Sequence, residues 1–72
     1  MPEMRSVFSS HVNQIGYDAE KRELHVSFAK GRRREVVYHD IDERTARDVM
    51  EAPSIGEEMW RSIRGRFPHR HI

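Results

Sequence analysis

The sequence predicts an α+β domain: a three-stranded antiparallel β-meander followed by two short helices packed on one face. Three observations carry that prediction. Leu24, Val26 and Phe28 alternate with Glu23, His25 and Ser27, the period of two that marks a half-buried strand. After Ile41 the apolar spacing changes to Ala46, Val49 and Met50, which share one face only on a helix. Between these lies Ala29-Lys30-Gly31-Arg32, whose glycine suits a tight hairpin, so the chain returns antiparallel rather than crossing over.

Residues 11–17, His-Val-Asn-Gln-Ile-Gly-Tyr, form the expected first strand, with Ile15 and Tyr17 on one face. Gly16 permits either a bulge or a close backbone approach. Asp18-Ala19-Glu20-Lys21 makes the next turn and leads into the alternating second strand. The third strand runs from Glu35 through Val36, Val37 and Tyr38 to His39. Asp42 then caps a helix, with Ile41 placed before it as a hydrophobic staple. Pro53 ends that helix, and Ser54-Ile55-Gly56-Glu57 begins another with a capping box. Met59, Trp60 and Ile63 form its expected inward stripe, with Trp60 as the core anchor. Gly65 stops the helix, and the tail 66–72 runs extended, with Phe67 free to fold back. The sheet face carrying Glu23, His25 and Ser27 is expected to stay wet.

Composition bounds what such a domain does. A chain of 72 residues is one domain and buries only about 60% of its unfolded surface, which leaves little room for a deep pocket. At 36% hydrophobic and 35% charged residues it folds but keeps a dense ionic exterior. The absence of cysteine excludes disulfides and thiolate metal sites and fits a cytoplasmic setting. The N-terminus lacks the pattern of a secretory signal, and no stretch is long and apolar enough to span a membrane. The net charge of +1 provides no global field, but basic residues segregate: Lys30, Arg32, Arg33 and Arg34 crowd one turn, and Arg61, Arg64, Arg66 and Arg70 crowd the end of the chain. The expected organisation is a flexible arm at 1–6, one domain at 7–70 and a tail at 71–72. Val7 and Phe8 read either as a docking arm or as an end whose aromatic ring packs on the core.

Ser9-Ser10, Ile15-Gly16-Tyr17-Asp18, Leu24 to Phe28 before Gly31, Ala52-Pro53-Ser54 with Gly56, and Ile63-Arg64-Gly65-Arg66-Phe67-Pro68 follow one another at spacings that resemble the KTSC (lysyl-tRNA synthetase C-terminal) domain family. The likeness covers roughly residues 7 to 70. It implies a module found at the end of some lysyl-tRNA synthetases and as free-standing bacterial and phage proteins, with a suggested role in RNA binding and no assigned reaction. One departure stands out. The family's Tyr-x-Tyr falls here on Val36-Val37-Tyr38, so only the second tyrosine is kept.

For catalysis the candidates are Ser9 or Ser10 beside His11, without an elbow motif or an enclosed site, so no enzyme is expected. His69 and His71 share one side of an extended tail, but a zinc site needs three or four ligands, so no metal and no cofactor is expected. The residues expected to contact nucleic acid are Arg32, Arg33, Arg34, Arg64, Arg66 and Arg70 on phosphates, with Tyr38 stacking on a base. Charged hairpin tips also serve solubility and block edge-to-edge pairing, and Arg61 and Arg64 have local partners in Glu57 and the helix dipole. Two partner classes follow: RNA, or a protein such as RNA polymerase, the translation machinery or a tRNA synthetase. No small-molecule substrate is expected.

Overall fold

The computed structural model describes residues 2–7, 9–32 and 34–72. The predicted class holds, but the sheet has five strands rather than three. They are β1 (Arg5–Ser6), β2 (Val12–Asp18), β3 (Glu23–Phe28), β4 (Glu35–Tyr38) and β5 (His69–His71), antiparallel throughout and paired in sequence order. The central three are the expected meander. The two outer strands escaped notice because Arg5–Ser6 is two exposed polar residues and His69–His71 is exposed along its length, so neither has an apolar alternation to read. Arg5 and Ser6, assigned by sequence to a flexible arm, thus pair with Ile15 and Gln14, and His71 lies within the sheet. Phe8 lies outside the described residues.

Between β4 and β5 the chain forms α1 (Glu43–Met50) and α2 (Ile55–Glu58), the latter continuing into a wide π segment (Met59–Ile63). The Arg64 amide closes that segment on the Met59 carbonyl at 2.8 Å. The Asp42 cap forms as expected, accepting from the Thr45 amide at 2.8 Å; of the expected capping box only the serine half is present among the described residues, Ser54 accepting from the Glu57 amide. Gly65, at φ 79°, turns the chain out of the π segment toward β5, a conformation that L side chains resist. No described helix is long and apolar enough to cross a membrane.

The helices cover one face of the sheet. Ile15, Leu24, Val26, Val36 and Tyr38 from the strands join Ala46, Val49, Ile55, Met59 and Ile63 in one cluster, with Ile41 at the entry to α1. Phe67 folds back onto it, and the Tyr17 hydroxyl donates to the Ile41 carbonyl at 2.5 Å. Trp60 does not belong to this core: it is 68% exposed. Ile55, Met59 and Ile63 recur every fourth residue and fill the inward stripe, and the residue after Met59 is rotated off that stripe by one helical step.

The opposite face is not wet either. His25 is 7% exposed and Val37 is fully buried. The N-terminal residues cross this face at Gly16, where a Cβ would meet the Glu3 carbonyl oxygen at 2.6 Å and the Met4 sulfur at 2.8 Å. Gly16 therefore serves a close backbone approach, while the bulge falls between Val12 and Gln14.

Two measurements test this account. Ile63→Ala is expected to destabilise the domain by about 2–5 kcal/mol, and Trp60→Ala by less than about 1 kcal/mol, in urea unfolding; the reverse order would return Trp60 to the core. The second concerns Asp42, whose carboxyl is held below its usual range chiefly by hydrogen bonds from Thr45, with Arg22 and Arg44 assisting. A depressed carboxylate stabilises the fold above its unfolded value, and that contribution is lost as pH falls through the folded value. The melting temperature of the wild type should therefore fall more steeply below about pH 4 than that of Asp42→Asn.

Candidate nucleic-acid interface

An open groove of about 610 Å³ lies on the helix-bearing face, between β4–β5 and the end of the π segment. Phe28 and Tyr38 line it from the sheet, Arg64 and Gly65 from the end of the π segment, and Lys30 from the β3–β4 hairpin. Ser10 and His11 enter from the segment before β2, where the Ser9 hydroxyl accepts from the amides of His11 and Val12 and sets the turn. His69 and His71 complete it. They face the same way because they are two apart on a strand, opposite Tyr38 and Val36. Their rings meet edge to face at 5.5 Å, and His69 lies 5.7 Å from the Tyr38 ring.

The lining is one-signed. Lys30, Arg64 and three imidazoles contribute to it, and among the described residues no carboxylate does. Arg64 is held over two rings at once, 4.5 Å from the Trp60 centroid and 5.7 Å from Phe28, so aromatic faces orient the guanidinium without neutralising it. Burial pushes the Tyr38 hydroxyl above its usual range, while the Arg64 charge acts in the other direction. Ser10 Oγ lies 2.9 Å from His11 Nδ1, but both residues are exposed.

The opposite face holds a second cluster, centred on Glu23. Its carboxylate reaches His25 Nε2 at 3.2 Å, His39 Nδ1 at 3.4 Å and Arg70 Nη2 at 3.7 Å. The buried His25 Nδ1, on the other side of the ring, has no hydrogen-bond partner among the described residues. Among the described residues no group of three or more His, Asp or Glu is placed to hold a metal ion.

The arginines singled out by sequence do not converge. Arg64 lies in the groove; Arg70, between the two groove histidines on β5, points to the other face and pairs with Glu23. Arg66 lines a separate polar cleft with Asp48, Arg61 and Phe67, while Arg32 and Arg34 are exposed in the hairpin that carries Lys30. Arg33 lies outside the described residues. Tyr38 is 4% exposed, so it forms the floor of the groove rather than a free stacking platform. Sequence reasoning passed over Lys30, His11, His69 and His71 as groove residues. The i,i+2 histidines carried a legible signal, since such spacing places both on one side of a strand; His11 joins them only through the fold.

Fold and site together define a small α+β domain, a fully antiparallel meander with its helices inserted before the last strand and an open groove beside them. The KTSC domain model matches residues 8–67, and the chain belongs to that family. Its structure is also similar to the crystal structure of a KTSC domain protein from Yersinia pestis, with a TM-score of 0.91 and 30% sequence identity, covering 100% of this chain and 99% of that one. No curated protein matches the chain significantly.

The Glu23 cluster makes a distinct prediction about the groove. Glu23→Gln removes the charge that holds Arg70, so β5 should loosen and the Ile72 amide, which donates to the Glu35 carbonyl at 3.0 Å, should exchange with solvent faster than in the wild type. An unchanged exchange rate would show that backbone pairing alone holds the strand.

Proposed function

We propose that this chain is a non-catalytic RNA-binding accessory module that takes single-stranded RNA along the groove. The observation that carries the reading is the lining of that groove: among the described residues five basic side chains and no carboxylate, with the groove's Arg64 guanidinium set over the solvent-exposed Trp60 indole. Phosphates are attracted by Lys30, Arg64 and the imidazoles, and bases stack on Trp60, with the exposed part of Phe28 adding apolar contact. Arg32 and Arg34 extend positive charge along the hairpin beyond the groove. Arg66 and Arg70 have no place in this interface.

The non-catalytic part of the reading rests on the same geometry. The Ser10–His11 pair is exposed, and among the described residues no carboxylate lines the groove to orient the imidazole as a general base requires. Flat, open, cationic surfaces suit binding of a flexible polyanion better than exclusion of water from a reacting bond.

A second reading has its own observation. Trp60 and Ile72 are large apolar side chains at 68% and 56% exposure, and exposed aromatics also anchor protein partners. A module docking on RNA polymerase, a tRNA synthetase or the translation machinery would retain its partner in a nuclease-treated lysate, whereas an RNA-binding module would lose it.

The direct test is fluorescence anisotropy with a labelled single-stranded oligouridylate across a salt series. The wild type is expected to bind with an affinity that falls as salt rises, Lys30→Ala and Arg64→Ala each to reduce the log–log slope by roughly one contact, and Trp60→Ala to weaken binding by about 1–3 kcal/mol. Absent or salt-independent binding would overturn the reading.

A further inference from the structure

Three of the five basic side chains that line the groove are imidazoles, and imidazole is the side chain whose ordinary titration falls between about pH 5 and 8. The cationic strength of the groove therefore depends on protons to an unusual degree. A lysine or arginine side chain ordinarily keeps its charge throughout that range, whereas an imidazole gains charge only as pH falls.

The surroundings favour this behaviour. His69 and His71 stand with ring centroids 5.5 Å apart on one side of β5, so one anion can meet both rings. The groups facing them are the Tyr38 phenol from β4, Lys30 from the hairpin and Arg64 from the end of the π segment, all neutral or cationic over the range. His11 is backed by α2 at Gly56, which has no side chain to contribute, and its Nδ1 meets the Ser10 hydroxyl. Two acids are committed elsewhere: Glu23 lies on the opposite face with His25, His39 and Arg70, and Glu58 pairs with Ser62 and Arg61.

We infer that the groove is a proton-linked phosphate site, in which His11, His69 and His71 take up protons as RNA phosphates enter, so that affinity for RNA rises as pH falls. The inference rests on the RNA reading above and adds its regulation. Proton uptake follows from reciprocity: an anion that binds the protonated imidazoles more tightly raises their proton affinity by the same factor. All three side chains are exposed, so replacing them leaves the core untouched.

The experiment is binding of a labelled single-stranded oligouridylate to the full chain at fixed ionic strength from about pH 8 to 5.5, an RNA chosen because uracil does not take up a proton in that range. The wild type is expected to bind roughly tenfold more tightly at the acid end, the magnitude of two or three screened charge contacts. His39→Gln, which alters an imidazole on the opposite face, should keep that profile, and the combined His11→Gln, His69→Gln and His71→Gln variant should flatten it. Calorimetry of the wild type near neutral pH, in two buffers of different ionisation enthalpy, should register net proton uptake on binding. Absence of binding at every pH would overturn the RNA reading and this inference together. Binding without pH dependence, a profile unchanged by the triple replacement, or zero proton uptake would overturn the inference alone.

Discussion

Burial of one sheet face under the helices is the constraint on which the rest of the molecule depends. Ile15, Leu24, Val26 and Tyr38 present a ridge that Val49, Ile55, Met59 and Ile63 close, and each of these side chains is at most 8% exposed. For a chain this short no second core is available, so the helical stripe must be used fully. The spacing of Ile55, Met59 and Ile63 meets that demand with aliphatic side chains of similar size, and the largest side chain in the sequence is left outside. Trp60 becomes available to a partner because the core is complete without it.

The last strand links the two faces of the sheet. Alternation along β5 sends His69 and His71 into the groove and Arg70 to Glu23 on the far side, so one three-residue strand both lines a site and ties itself down. Glu23 in turn is shared with His25 on β3 and His39 just after β4, which ties the edge strand to the centre of the sheet through side-chain contacts as well as through backbone pairing. Crossing of the N-terminal segment over Gly16 closes this face where the absence of a side chain permits it. Both faces are thus occupied, one by helices and one by the chain's own ends.

The groove is shaped by these restraints rather than by any single motif. Gly65 turns the chain at the end of the π segment, which brings Arg64 against Trp60 and Phe28 and sends the following residues back along β4. Its walls come from the segment before β2, the β3–β4 hairpin, β4, the π segment and β5, and its one-signed lining is a property of that convergence. The pairing of Arg70 with Glu23 shows the converse: a basic residue in a basic cluster is not thereby part of a cationic surface.

Local pattern alone determined the central meander, the caps at Asp42 and Ser54, the stop at Gly65 and the inward set Leu24, Val26, Val49 and Ile63, because strand alternation, helix spacing and capping are interactions between residues a few positions apart. The outer strands, the burial of His25 and Val37, the outward indole and the separation of Arg64 from Arg66 and Arg70 were decided only in three dimensions. Each depends on which distant segment lies beside it: β1 and β5 exist through their neighbours, and His25 is buried because the chain ends cross its face. Trp60 differs from Met59 by one helical step, a rotation that hydrophobicity does not record and packing does.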